Sequence, residues 1–237
     1  MTVTVFFVTG PAGVGKTHFT ARLVENLIAE SAKRFGADSQ WRVCHSAATN
    51  PVDDYRGEEI LVMDDVRGFS MTGSDWLKLL DPHYASPSSA RYHNKTVACR
   101  TIIITSTKEP LEFFYYTRSV AGGRDCSEGM DQFLRRLAAL VHVIPYREFD
   151  PRYAIANSVH DDTPHDEPLT WLSNAYGTPT VSLHTRFETE GEPDEVYDGD
   201  TAMRMLTDQV MAAHGYDTLY ERRAEQLAEH GITLVKP

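Results

Sequence analysis

Between Gly10 and Thr17 the chain reads Gly-Pro-Ala-Gly-Val-Gly-Lys-Thr, a full G-x-x-x-x-G-K-[ST] loop directly behind an apolar run at residues 3–8. Few short patterns restrict a fold as tightly. Such a loop works between a buried strand and the start of a helix. Its glycines let the backbone curl so that successive N–H groups point inward at phosphates, its lysine reaches the outer oxygens, and its hydroxyl residue ligates Mg²⁺. The helix expected from residue 18 to about 32 aims its positive end at the same anion. Gly10, Pro11, Ala12, Gly13, Val14, Gly15, Lys16, Thr17 and His18 are therefore assigned to nucleotide binding, with Lys16 also catalytic.

Five short apolar runs, at residues 3–8, 41–45, 60–63, 101–105 and 140–144, suit buried parallel strands, and helical patterns separate most of them. The alternation predicts an α/β three-layer sandwich around a five-stranded parallel sheet, with the functional residues at the carboxyl ends of the strands. Beyond Asp150 the texture becomes Asp-, Pro-, Thr- and Gly-rich. Residues 1–150 are accordingly read as the nucleotide-binding domain, 151–200 as an acidic, linker-like extension, and 201–237 as a helical tail. The tail is expected to hold helices at 202–214 and 219–230, and the first domain is expected to fold without residues 188–237.

Net charge is informative only once it is divided. The formal value is -11, yet residues 1–150 carry 17 Lys+Arg against 18 Asp+Glu, and residues 151–237 carry 6 against 16. The acidity belongs to the C-terminal part, leaving the nucleotide-binding part near neutral and open to a polyanionic partner. Three cysteines in no C-x-x-C pattern argue against a disulfide framework or a zinc site, so a reducing, cytoplasmic setting is expected. No run reaches membrane-spanning length.

Two further strand ends carry chemistry. Ile60-Leu-Val-Met-Asp64-Asp65 places Asp64 to orient Mg²⁺, partly through water, and Asp65 to polarise an attacking water. Thr101-Ile-Ile-Ile-Thr105-Ser106-Thr107 ends in small hydroxyl residues that can sense the terminal phosphate, the role falling to Ser106 or Thr107.

Together with Leu79-Leu-Asp-Pro-His, Ala90-Arg-Tyr-His-Asn-Lys95 and Gln132-Phe-Leu-Arg135-Arg136-Leu, these motifs resemble the superfamily-3 helicase domain of replication initiators from rolling-circle plasmids and small single-stranded DNA viruses. The resemblance covers residues 3 to about 147. It implies an AAA+-type ATPase with ATP and Mg²⁺ as cofactors and a homo-hexameric ring drawing single-stranded DNA through its pore. A hairpin at residues 86–97 would grip the strand through Arg91, His93 and Lys95. Arg135 or Arg136 would be the finger that reaches a neighbour's nucleotide. The acidic tail is a place for replication partners to dock. Initiators of this kind carry a nicking domain marked by two histidines around one apolar residue; none of the ten histidines here is so spaced, and no nicking is expected.

Three other functions share parts of this pattern. A small-molecule kinase uses the same loop, and Arg118 and Arg124 imitate its lid. A viral RNA helicase shares the core motifs, and a nucleotide-dependent interaction module shares the loop. The Asp64–Asp65 pair and the hairpin segment favour a motor over a kinase, and the assignment to DNA over RNA leans on the Ala90 to Lys95 and Gln132 to Leu137 phrases.

Overall fold

The computed structural model describes residues 3–46, 51–82, 87–89, 94–117, 127–148, 150–189 and 195–214. In chain order the elements are β1 (Thr4–Thr9), α1 (Lys16–Phe35), β2 (Val43–His45), β3 (Ile60–Met63), α2 (Gly73–Leu79), β4 (Pro87–Ser89), β5 (Asn94–Thr96), β6 (Thr101–Ser106), α3 (Pro110–Tyr115), α4 (Ser127–Leu134), β7 (Ala139–Arg147), β8 (Asp150–Pro168), β9 (Thr180–Thr189) and α5 (Gly199–His214). One sheet runs in the order β2-β3-β6-β1-β7-β8-β9. The five apolar runs supply β1, β2, β3, β6 and β7, each pairing parallel with its neighbour. Registers Met63↔Ile104, Val8↔Thr105 and Thr9↔His142 bring their carboxyl ends level, so the loops that follow converge.

Strands β1, β3 and β6 are buried along their whole length because both faces are covered. Val5, Phe7, Met63, Ile102 and Ile104 face one way, onto Trp76 of α2, Phe113 of α3 and Phe133 of α4. Phe7 meets the Phe113 ring edge-on at 5.3 Å, and each such buried aromatic contributes about 1.5–3 kcal/mol. Phe6, Val8, Val62 and Ile103 face the other way, onto Phe19, Leu23 and Leu27 of α1 and Leu206 and Val210 of α5. The spacing of those α1 residues by four puts them on one helix face.

The sheet is not the expected five-stranded parallel one. Strand β8 pairs antiparallel with β7, and β9 antiparallel with β8, giving seven strands of mixed direction. Both added strands come from the stretch read as an acidic linker. Tyr153 and Ile155 on β8 and Val181, Leu183 and Thr185 on β9 turn inward, while Ala154, Ser182 and His184, which alternate with them, are half-buried or exposed. The structure also weighs against the expectation that residues 188–237 are dispensable. Helix α5 buries Ala202, Met203, Leu206, Val210 and Met211 in the α1 face of the core, and Arg22 of α1 bridges Asp200 at 2.8 Å. The helix expected at residues 219–230 lies outside the described residues, as do Arg118 and Arg124. Among the described residues no helix is long and apolar enough to cross a membrane.

Candidate active site

Strand β1 stops at Thr9, and the chain turns through the glycine-rich loop into α1. Gly10 and Gly15 are obligatory for different reasons. A Cβ at Gly10 would lie 2.5 Å from the Val143 carbonyl oxygen of β7, and Gly15, the residue before α1, has φ of +103°, where an L side chain is strained. Lys16 lies across the loop, its ammonium donating to the carbonyls of Gly10 at 2.8 Å and Pro11 at 2.9 Å. Burial lowers its pKa, and the Asp65 and Asp64 carboxylates oppose that shift. Lys16 is thus a largely desolvated cation facing two acids, well placed to bind phosphate oxygens.

Those acids end β3. The Thr17 hydroxyl donates to the Asp64 carboxylate at 3.0–3.1 Å, which brings together the two residues expected to hold Mg²⁺. A hydroxyl and a single carboxylate supply the hard oxygen ligands that Mg²⁺ takes when substrate phosphates complete its shell. Asp65 adopts φ of +45°, the sole non-glycine residue with positive φ among those described. Asp tolerates that conformation better than most residues, but it still needs support. The support is Thr105 on β6: its hydroxyl accepts the Asp65 N–H at 2.7 Å and donates to Asp64 Oδ1 at 2.6 Å. Asp65 itself pairs with Arg67 at 3.3 Å on the exposed side.

Thr105 is the residue that sequence reasoning missed. Ser106 is buried and its hydroxyl accepts the Lys108 N–H at 3.2 Å, closing a local turn, while Thr107 is exposed. Of the three hydroxyl residues, Thr105 is the one hydrogen-bonded to both members of the acidic pair. The end of β6 is also tied to the loop, because the Thr9 hydroxyl donates to the Lys108 carbonyl at 3.1 Å.

The two arginines after α4 separate cleanly. Arg136 is mostly buried; its Nε donates to the Leu77 carbonyl at 3.1 Å, a terminal nitrogen to the Gln132 carbonyl at 2.7 Å, and the other lies 3.5 Å from Asp81. It fastens α4 to the end of α2. Arg135 is exposed. Of the residues expected to touch nucleic acid, Lys95 lies on β5 opposite Ser88 of β4 in a two-stranded antiparallel ladder, whereas Arg91 and His93 lie outside the described residues.

A cleft of about 920 Å³ opens on the other side of the phosphate loop, between residues 11–15, the β7–β8 turn and the start of α5. Its volume is that of a small-molecule site.

Comparison with known proteins agrees with the motifs. Residues 6–108 match the RNA helicase family. A replication protein of Onion yellows phytoplasma (strain OY-M) is 37% identical over 109 residues, which are 46% of this chain and 26% of that protein. The match thus spans about a quarter of the relative's length.

Proposed function

Starting from a chain whose N-terminal half carries a superfamily-3-type helicase domain of the kind found in replication initiators, we propose that it is an ATP-driven motor that moves along single-stranded DNA during replication. The observation that carries this reading is the bonded series Thr17–Asp64–Thr105–Asp65 at the mouth of the phosphate loop. A loop that merely binds a phosphate has no need of a second acid held in a left-handed conformation beside the first. Mg²⁺, when bound, neutralises charge on the β- and γ-phosphates; Thr17 and Asp64 would hold it. Lys16 stabilises the negative charge that grows on the transferred phosphoryl group. Asp65, aimed by Thr105, orients and polarises the water that attacks the γ-phosphorus. Arg135 is the finger that crosses to a neighbouring subunit, because the guanidinium of Arg136 is already committed to α2 and α4. The ring is a homo-hexamer, and Lys95 on the hairpin follows the strand.

The test is ATP turnover with and without single-stranded DNA. The expected result is stimulation of the intact chain several-fold and no turnover in Lys16→Ala at unchanged melting temperature. Turnover that ignores single strands would remove the motor from this reading. Single-stranded RNA is the second candidate track, favoured by the name of the matching family, and the same assay with RNA separates the two.

A further inference from the structure

We propose that a second cavity, roofed by β8, β9 and the turn between them, is a docking site for a partner protein and takes an extended segment in which an apolar residue is followed by a basic one. It does not rest on the nucleotide reading. The cavity opens on the face of the sheet covered by α3 and α4, whereas α1, which begins in the phosphate loop, packs on the other. Its roof also lies beyond residues 6–108, the part matched by the helicase family.

The cavity measures about 510 Å³ and lies between the start of α3, the end of α4 and the two C-terminal strands. Buried Leu134, Leu140 and Leu183 and partly buried Phe187 and Trp171 give it an apolar wall. That wall is held in place from three sides. Asp131 of α4 accepts the His184 and Thr185 N–H groups of β9, each at 2.8 Å. The Leu169 N–H donates to the Pro179 carbonyl at 2.8 Å across the β8–β9 turn, and the Trp171 ring meets Tyr115 of α3 edge-on at 6.1 Å.

Two lining residues carry polar groups that the fold leaves unused. Thr185 is 1% exposed and its hydroxyl has no hydrogen-bond partner among the described residues; the Trp171 indole N–H is likewise buried and unpaired. Folded domains keep few such groups, because each costs stability until something pairs with it. A peptide unit supplies both complements, a carbonyl for the indole and an N–H for the hydroxyl. Charge then selects among peptides. Of the acids at the cavity, Glu112 is paired with Lys108, but Glu109 faces only His142, at 3.6 Å, and Glu167 has no ion pair among the described residues. Arg186, also at the cavity, is already bound by Asp161 at 3.3 Å and Glu188 at 2.6 Å. The rim therefore favours a cation beside the apolar anchor. An extended segment fits where a helix does not, since a helix is about 10–12 Å across and even two turns of it exceed the cavity's volume.

Proton–nitrogen correlation spectra of the ¹⁵N-labelled full chain read this site directly, because the chain has 3 tryptophans and Trp171→Phe identifies the indole signal of Trp171. The probes are three capped dipeptides, N-acetyl-Phe-Lys-amide, N-acetyl-Phe-Gln-amide and N-acetyl-Phe-Glu-amide, which share one apolar anchor and differ in charge. The Trp171 indole signal should move saturably with the lysine peptide while those of Trp41 and Trp76 stay in place, and the lysine peptide should bind about tenfold more tightly than the glutamate peptide. Glu109→Gln with Glu167→Gln should bring that ratio below about twofold; if the double variant fails to fold, Glu167→Gln alone should at least halve it. Thr185→Val should raise the Tm of the free protein, because it removes an unpaired buried hydroxyl, and yet weaken all three peptides by about threefold or more. A Trp171 signal that ignores the lysine peptide at 10 mM (about the weakest binding worth the name), equal affinity for the lysine and glutamate peptides, or a Thr185→Val protein that binds as the wild type does overturns the proposal. Binding of 2-phenylethylamine as tight as that of the lysine peptide overturns it as well, by making the cavity a site for small amines. None of these outcomes bears on the phosphate loop.

Discussion

Thr105→Val removes one hydroxyl and keeps the side-chain volume, so it isolates the support that β6 gives to the acidic pair. Two bonds disappear: the 2.6 Å donation to the Asp64 carboxylate and the 2.7 Å acceptance from the Asp65 N–H. A hydrogen bond to a charged group is worth about 1.5–3 kcal/mol, and an amide left without a partner costs about 1–3 kcal/mol. Asp64 retains the Thr17 hydroxyl and the Asp65 side chain is partly exposed, which moves both contributions to the low end. The net destabilisation is then about 2 kcal/mol, a fall in Tm of roughly 4–8 °C for a chain of this size. Catalysis should suffer more than binding, because Lys16 and the loop glycines are untouched while Asp65 loses the anchor of its left-handed backbone. Misplacement of an aligned group by about 1 Å costs roughly 100-fold, so kcat should fall about 10- to 100-fold with KM for ATP changed less than threefold. Thr105→Ser restores the hydroxyl and should recover most of kcat. Steady-state ATPase kinetics beside thermal melts check both halves. A Thr105→Val protein with kcat within twofold of wild type would show that Asp65 is aligned by something else.

The arginine pair should divide by function: Arg136→Ala loses its bonds to Leu77, Gln132 and Asp81 and should be destabilised by about 2–4 kcal/mol. Arg135→Ala should keep its Tm but lose most turnover, with partial recovery on mixing with Lys16→Ala subunits; no recovery at any ratio would remove the crossing role. Buried His214 accepts or donates a bond with Thr4 at 3.0 Å, and burial, aided by Arg100 and the N-terminal charge, lowers its pKa to about 4. Its unfolded form has a pKa near 6.5 and binds the proton first as pH falls, so stability is full above about pH 6.5 and drops between there and about pH 4. The loss is on the order of 3 kcal/mol, and His214→Gln should flatten that part of a denaturation-against-pH profile. Deleting residues 188–237 should give an insoluble or molten product by size exclusion and circular dichroism. The lost Met203, Leu206, Val210 and Met211 are each worth about 1.5–3 kcal/mol, against a total stability of about 5–15 kcal/mol.

How far the sequence could be read followed from what kind of signal each element leaves. The five central strands were legible because burial on both faces produces unbroken apolar runs such as Val5-Phe6-Phe7-Val8. The loop and the Asp64–Asp65 pair were legible because their chemistry is local and fixed in spacing. Strands β8 and β9 were hidden by their own solvated face. In β9 the inward residues Val181, Leu183 and Thr185 alternate with Thr180, Ser182 and the half-exposed His184, a period of two that was present but outweighed by the acidic composition of its surroundings. Thr105 was passed over because the choice among three successive hydroxyl residues depends on where β6 ends relative to β3, and that register exists only in the assembled sheet. The same holds for Arg135 and Arg136, adjacent residues in the turn that follows α4. Nothing local says which of them meets α2.

The extension also changes the meaning of the uneven charge. Among the described residues, carboxylates of the extension lie along β8 and β9 and at the rim of the cleft, on elements joined to the sheet. An acidic edge bonded to the sheet beside β7 repels a polyanion wherever the rest of the domain is near neutral. That edge is therefore expected to be the side of the molecule that a nucleic-acid strand avoids. Neutralising Asp198 and Asp200 together should strengthen single-strand binding at low salt and leave it unchanged at high salt. Equal affinity of the double variant and the wild type at low salt would show that this edge does not steer the strand.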